Sequence, residues 1–259
     1  MQHYTIEEKN LERQYLLAEK LKPFTGKAVE RIILPHNATV LDVACGIGET
    51  TRLLANNFDD AIITGLDRDD NLVLAAKNIS AVKHANINFI TGDAAMLPFE
   101  DNSFDFVFSR YLLMHVPDPV AILQEMKRVC KPGGIVFAQE PDINSGSSFP
   151  ESWAFNKLQQ YFMALFVDGQ VGRKLPAYFL QIKLSNLQYQ ADAVFEMHKN
   201  NRLRRLYTLT GEAIGPAILE GKVATEQEYE DWIKELTRAE HDEKLVYLSH
   251  PVIAVWGQK

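Results

Sequence analysis

The sequence predicts an α/β protein built on an open, doubly wound sheet. Three observations predict it. Short apolar runs alternate five times with helix-spaced segments between residues 39 and 140. The first run, Val40-Leu41-Asp42-Val43-Ala44, leads through Cys45 into Gly46 and Gly48 and then into a helical pattern, the order that builds a cofactor-binding corner. Phe104 to Ser109 is apolar on both faces, as a central parallel strand is.

Composition agrees. Hydrophobic residues make up 46% of the 259, enough for a full core and against disorder. A formal charge of -7 and a pI near 5.5 argue against a broad nucleic-acid surface, which needs a basic face. Two cysteines, Cys45 and Cys130, read as reduced core residues rather than a disulfide framework. No apolar run reaches the about 18 residues of a membrane span, and no secretory signal is read. The expectation is a cytoplasmic protein without membrane or nucleic-acid partners.

Taken in order, Thr5-Ile6-Glu7-Glu8 is a capping box, and Leu11, Tyr15 and Ala18 follow at helical spacing until Pro23 stops the helix. A second helix is expected from Gly26 to Ile33, with Ala28, Val29, Ile32 and Ile33 inward. After the first strand, Glu49 to Asn57 is a helix that buries Leu53 and Leu54. Ala61 to Leu66 is the second strand and ends at Asp67; Asp69 or Asp70 caps the next helix, which carries Leu72, Val73, Ala76 and Ile79. Ile87, Phe89 and Ile90 form a third strand ending in Gly92-Asp93-Ala94. Phe104 to Ser109 is the fourth, with Arg110, Tyr111 and His115 at its C-terminal end. Asp118-Pro119 caps a helix that turns Val120, Leu123, Met126 and Val129 to the sheet. Lys131-Pro132-Gly133-Gly134 is a sharp turn before a fifth strand, Ile135 to Ala138, which runs into Gln139-Glu140-Pro141-Asp142.

Beyond this point the pattern changes. Residues 143–150 read as a loop, Trp153 to Leu165 as a helix, 172–185 as a helix despite Pro176, and Leu187 to Val194 as a strand. Asn201, Arg202, Arg204 and Arg205 open another helix, as a solvated face or as a contact for an anionic substrate. Thr225-Glu226-Gln227-Glu228 is a second capping box, for a helix through Ala239, and Val252 to Trp256 is a final strand.

The glycine turn is no phosphate cradle, since it lacks a Gly-Lys-Ser/Thr ending. Thr51 stands where a dinucleotide fingerprint has its third glycine. Asp42, inside the strand end, suits a cationic ligand better than a pyrophosphate. Asp67, 25 residues on, is placed to accept hydrogen bonds from both hydroxyls of a ribose. Asp93 and the backbone of Ala94 can meet an adenine edge.

With those residues in view, the chain resembles the class I S-adenosylmethionine-dependent methyltransferases. Val40 to Gly48 is similar to their first motif, Asp67 to their ribose-binding acid and Gly92 to Phe99 to their adenine-side segment. Phe104 to Ser109 and Lys131 to Gly134 match later motifs, in order, over residues 38–140. Gln14, Glu140-Pro141-Asp142, Gly172-Arg173-Lys174-Leu175 and the last strand resemble a subset acting on small molecules. Two positions depart: Ala44 replaces the first glycine of the motif, and Asn10 stands where the subset often has arginine.

The resemblance implies a mostly parallel seven-stranded sheet with its last strand antiparallel and a helical insertion near the C-terminus. It implies N-terminal helices over residues 1–37, a cofactor core over 38–142, and remaining strands plus a substrate cap over 143–259. S-adenosylmethionine is the implied cofactor, leaving as S-adenosylhomocysteine, and no metal is assigned. Gly46 and Gly48 would face its methionine part, Asp42 its ammonium, Asp67 its ribose, Arg68, Asp93 and Ala94 its adenine, and Ser109 and Arg110 its sulfonium, with Gln14 contributing from the first helix. His115 is the candidate general base, with Glu140 and Asp142 as second candidates. Trp153, Phe155, Tyr161, Phe162 and Phe166 suggest a partly aromatic or apolar small-molecule acceptor. A nicotinamide-dependent oxidoreductase and a non-catalytic cofactor-binding protein are the alternatives, while an RNA methyltransferase is disfavoured by the acidity.

Overall fold

The structure, a computed structural model, describes residues 6–80, 86–197 and 202–259. The chain divides into two compact units. One, the sheet unit, comprises Lys22–Pro141, Gln170–Ala191 and Val252–Lys259; the other, the helical unit, comprises Met1–Leu21, Asp142–Gly169 and Asp192–Pro251.

The sheet unit holds strands β1 (Thr39–Val43), β2 (Ile62–Asp67), β3 (Ile87–Thr91), β4 (Phe104–Arg110), β5 (Cys130–Pro141), β7 (Ser185–Asp192) and β10 (Val252–Gln258). They form one seven-stranded sheet in the order β3-β2-β1-β4-β5-β10-β7. Neighbours from β3 to β5 pair in parallel, and β10 is antiparallel to β5. This is the sheet that the resemblance implied. The strand order reverses beside β1, so the C-terminal ends of β1 and β4 frame the crevice where such sheets take ligands. The core beneath is apolar: Val40, Ile63, Phe106, Phe108 and Phe137 are wholly buried in one cluster, with Phe108 and Phe137 stacked at 4.7 Å.

The predicted crossover helices form where their apolar spacing puts them. α2 (Glu49–Asn57) buries Leu54, with Leu53 half-buried, and α3 (Asp70–Ser80) buries Val73 and Ala76. α4 (Pro119–Val129) starts at an Asp118 cap, whose side chain accepts from the Ala121 N–H at 3.0 Å, and buries Ile122, Leu123, Met126 and Val129. α6 (Val171–Gln181) tolerates Pro176.

Three expectations fail on tertiary grounds. α1 (Ile6–Val29) runs through Pro23 as one helix instead of breaking there. Interior proline costs about 3 kcal/mol. Full burial of Thr25, Ala28 and Val29, and the Thr25 hydroxyl's 2.6 Å bond to Gln139, offset it. The helix then stops at Val29, so Ile33 is 90% exposed rather than inward. Lys131 to Gly134 is no separate turn but part of β5: the Gly133 N–H donates to the Lys259 carbonyl and the Lys259 N–H to that of Gly134, both at 3.0 Å. Gly133 takes φ +78, and a β-carbon on Gly134 would stand 2.8 Å from the Asp105 carbonyl oxygen, so the pair makes a bulge that shifts the β4–β5 register.

In the helical unit, α5 (Trp153–Leu165), α7 (Arg202–Glu220) and α8 (Glu226–Ala239) accompany a small antiparallel sheet. Its strands are β6 (Ser147–Phe149), β8 (Phe195–Glu196) and β9 (Val246–Leu248), with β9 in the middle. The stretch 143–150 is therefore a short 3₁₀ turn followed by β6, not a loop. Phe155, Tyr161 and Phe162 are core, not pocket lining: Phe155 meets Tyr247 at 4.9 Å and Tyr161 meets Trp232 at 4.7 Å. Trp153 is 50% exposed and Phe166 half-buried. Arg204 is neither a solvated face nor open to substrate. It is 3% exposed, donates to Glu196 at 3.1 Å and also meets the carbonyls of Asp242 and Leu245. Arg205 forks onto Glu12 at 2.9 Å, while Asn201, Thr5 and the side chains that would complete the Thr5–Glu8 capping box lie outside what is described. Among the described residues no helix is long and apolar enough to cross a membrane.

The second capping box forms as read: Thr225 Oγ1 accepts from the Glu228 N–H at 3.2 Å, and the Glu228 carboxylate accepts from the Thr225 N–H at 2.8 Å. Thr225→Ala should therefore lower stability by about 1 kcal/mol, read as a lower midpoint in urea denaturation at unchanged slope.

Candidate functional site

Buried Val43 ends β1 and forces the chain to turn over the sheet edge. Ala44 takes φ +61, Gly46 φ +55 and Gly48 φ +80. The Gly48 N–H donates to the Cys45 carbonyl at 2.9 Å and Gly48 starts α2; a β-carbon there would stand 2.6 Å from the Phe89 ring. At Gly46 nothing lies within 4 Å of the β-carbon position, so the turn is open on that side.

Asp67 ends β2 beside this turn. Its Oδ2 accepts from the Gly46 N–H at 2.8 Å and its Oδ1 from the Asp69 N–H at 3.1 Å. Asp69, not Asp67, caps α3, since Asp69 Oδ1 accepts from the Asn71 N–H at 2.8 Å. A carboxylate has about four acceptor positions, so Asp67 keeps capacity for a ligand. In the β2–β3 register Asp67 faces Thr91, which puts Asp93 just past the neighbouring strand end. Asp93 is exposed and accepts from the Ala95 N–H at 2.9 Å; Ala94 is half-buried. Arg68 is exposed on the loop between β2 and α3.

Asp42 lies deeper. It is 1% exposed, and its Oδ2 accepts from the Thr51 hydroxyl at 2.7 Å. Burial pushes its pKa up to about 7, against the pull of Thr51 and of the Arg110 guanidinium. Thr51, which replaces a third glycine, thus spends its hydroxyl on the carboxylate under the turn.

The ends of β4 and β5 carry a desolvated polar layer. Ser109 pairs in register with Val43 and Ala138, is fully buried, and its Oγ has no partner among the described residues. The Arg110 guanidinium donates to Thr25 Oγ1 at 3.2 Å, and Thr25 donates onward to Gln139 Oε1. Gln139 Nε2 and the Tyr111 hydroxyl are buried without a partner among the described residues. Tyr111 takes φ +58, and burial raises its phenol. Glu140 Oε1 accepts from the Leu112 and Leu113 amides, both at 2.8 Å, and so caps the 3₁₀ turn Leu113–His115. Its Oε2 has no partner among the described residues, and burial pushes the carboxyl up to about 8 against those amide bonds. His115, at the end of that turn, is exposed at its rim; partial desolvation, then the Arg68 guanidinium, lowers its imidazole below 6.5.

The sheet unit therefore brings Gly46, Gly48, Asp67, Asp93, Ser109 and Arg110 to one edge, with the charges of Arg68 and His115 within each other's field. Gln14 is half-buried on α1 in the helical unit. Thr25, Gln139 and Tyr111 were not singled out from sequence as site residues. Gln139, a polar residue at the end of an apolar strand, was a usable signal; Thr25, just past Pro23, had none. The donor set fits an adenosyl cofactor: a carboxylate for ribose hydroxyls, an open left-handed turn for backbone approach, and orphaned buried polar atoms where a ligand's own polar groups would satisfy them.

Comparisons with known proteins agree with this geometry. Residues 41–138 match a family model described as a methyltransferase domain. The demethylmenaquinone methyltransferase of Bacillus licheniformis is 38% identical over 143 residues, covering 55% of this chain and 58% of that protein. The Staphylococcus aureus protein of the same name is 38% identical over 155 residues, covering 59% and 64%. The chain thus spans less than two thirds of the length of these relatives. Among solved structures, the YcgJ protein of Bacillus subtilis aligns with a TM-score of 0.59 at 19% identity, over 92% of this chain and 97% of that one. Phosphoethanolamine N-methyltransferase 2 of Haemonchus contortus, solved with S-adenosyl-L-methionine, aligns with a TM-score of 0.57 at 18% identity, over 95% and 57%. At these identities the structural likeness is one of fold.

Two outcomes follow from the turn and the buried carboxyl. Ala44→Gly relieves a left-handed alanine and should raise stability by about 0.5–1 kcal/mol, measured by urea unfolding. Glu140 has a folded pKa raised from 4.5 to about 8, so the protonated form favours the folded state. Its stabilising contribution is complete below the unfolded value and is lost as pH rises through the folded one. Wild-type stability relative to Glu140→Gln should accordingly fall by about 1 kcal/mol or more between about pH 5 and pH 8. A constant difference across that range in parallel denaturation curves would remove the assignment.

Proposed function

We propose that this chain, whose residues 41–138 match a methyltransferase-domain family model, moves a methyl group from S-adenosylmethionine to a small-molecule acceptor. The Gly46–Asp67 hydrogen bond carries the reading, since it sets an opened glycine turn against a carboxylate at the neighbouring strand end. When bound, the cofactor supplies an electrophilic methyl carbon on its sulfonium.

The chain's own residues hold and orient. Asp67 accepts from the ribose hydroxyls, Arg68, Asp93 and Ala94 meet the adenine, and Gly46 and Gly48 bring backbone to the methionine part. Asp42 acts at one remove, anchoring the start of α2 through Thr51. Ser109 and Arg110 wall the sulfonium side. Holding reactants in line supplies up to about 7–11 kcal/mol of a barrier, so a proton acceptor is needed only where the acceptor group must lose a proton. His115 is the better base: its lowered pKa leaves the imidazole neutral at pH 7, whereas Glu140 at about 8 is mostly protonated there.

Demethylmenaquinone, the acceptor in the relatives' names, heads the acceptors to be tried. We assign acceptor choice to residues 1–37 and to the helices after residue 142. Both cysteines are free and buried, which supports a reducing compartment, the cytoplasm.

Calorimetry should show S-adenosylmethionine and S-adenosylhomocysteine binding to the wild type about tenfold or more tightly than to Asp67→Ala. Equal affinities, or a thermal shift with NADH instead, would overturn the reading. In a transfer assay with demethylmenaquinone, His115→Ala should lower turnover about 10²-fold; a rate within a few-fold of wild type removes His115 as the base.

A further inference from the structure

The helical unit contains a cavity of about 310 Å³ that plays no part in the reading above. The apolar part of its wall comes from Leu16 of α1, Val194, Phe195 and Met197 around β8, and Leu203 and Leu206 of α7. Phe195 and Met197 are 64% and 63% exposed, large side chains left uncovered beside it. Four charged residues complete the lining: Glu19, Lys20, Glu196 and Arg202.

Three of those four charges are matched. Glu196 accepts from Arg204 on one oxygen at 3.1 Å and from the Leu203 N–H on the other at 2.8 Å. Glu19 receives Arg202 at 3.3 Å. Lys20 is left over, with no hydrogen bond or ion pair among the described residues. Nor does His250 add an anion: it is 8% exposed, and burial, then the Lys20 charge, lower its pKa. Burial without a counter-charge pushes the Lys20 amine down to about 7. A half-buried amine with no counter-charge among the described residues gains from a bound anion.

We infer that this cavity is a binding site for a small molecule with an apolar body and a single carboxylate, the carboxylate meeting Lys20 Nζ. One unmatched cation selects a single negative charge. A doubly charged phosphate would bring excess charge against Glu19 and Glu196. The volume lies at the small end of ligand cavities, which suits a short acyl or aryl acid.

Octanoate, 1-octanol and octylamine are titrated calorimetrically into the full chain and into Lys20→Met and Lys20→Arg. Octanoate should bind with one-to-one stoichiometry, about tenfold or more weakly to Lys20→Met, and within a few-fold of wild type to Lys20→Arg. Octanol should not distinguish the wild type from Lys20→Met. In the unaltered protein, octanoate should also slow acetylation of Lys20 by acetic anhydride, read by mass spectrometry of the peptide, while exposed lysines react unchanged. Absence of saturable octanoate binding, octanoate affinity indifferent to Lys20→Met, octylamine binding as well as octanoate, or unprotected acetylation of Lys20 would each overturn the inference.

Discussion

The bond from the Gly46 N–H to Asp67 Oδ2 is the constraint from which the sheet edge takes its form. It can exist only if β1 and β2 end at the same level and if the chain after β1 turns left-handed to aim an amide sideways. Parallel pairing of Val43 with Leu66 supplies the first condition, and the run of positive φ at Ala44, Gly46 and Gly48 supplies the second. Phe89 then packs where β-carbons on Gly48 and Gly65 would be, so the glycines serve close packing as well as conformational freedom. A turn held this way presents backbone to a ligand without rearranging, which is the preorganisation that transfer chemistry requires.

At two carboxyls near the turn, Asp42 and Glu140, burial and hydrogen bonding compete, and burial wins. Asp42 has a hydroxyl donor and a nearby guanidinium, yet still rises to about 7; Glu140 has backbone amides and still rises to about 8. Such groups are poor stabilisers at neutral pH. Glu140 has a positional use all the same: it fixes the 3₁₀ turn that carries His115. The unpartnered atoms of Ser109, Tyr111, Gln139 and Glu140 in the same layer leave polar capacity unfilled, whereas Arg204 in the helical unit is satisfied by one carboxylate and several carbonyls and serves structure alone.

Local signals were read correctly where one residue acts on its own neighbours. The bounds of α2 and α8, the caps Asp118 and Thr225, and the glycine turn all depend on contacts within a few positions of the chain. Signals failed where a distant segment decides. Pro23 stays helical because Gln139, 114 positions from Thr25, helps hold that turn. Lys131 to Gly134 is strand because Lys259 pairs with it. β6, β8 and β9 are too short to show a period and exist only through each other.

By itself the sequence determined the strand–helix alternation, the glycine turn and the acids at the ends of β1, β2 and β3, because alternation, positive φ and capping are properties of neighbouring residues. Tertiary structure alone decided which acids are buried and which are open: Asp42 is closed over by Thr51 and Asp67 is buried against the Gly46 amide, while Asp93 is exposed. It alone set Glu140 under the β4 loop and left Lys20 without a counter-charge. The reason is physical: desolvation and pairing depend on what the whole fold packs around a charge, and no local pattern in the chain encodes that.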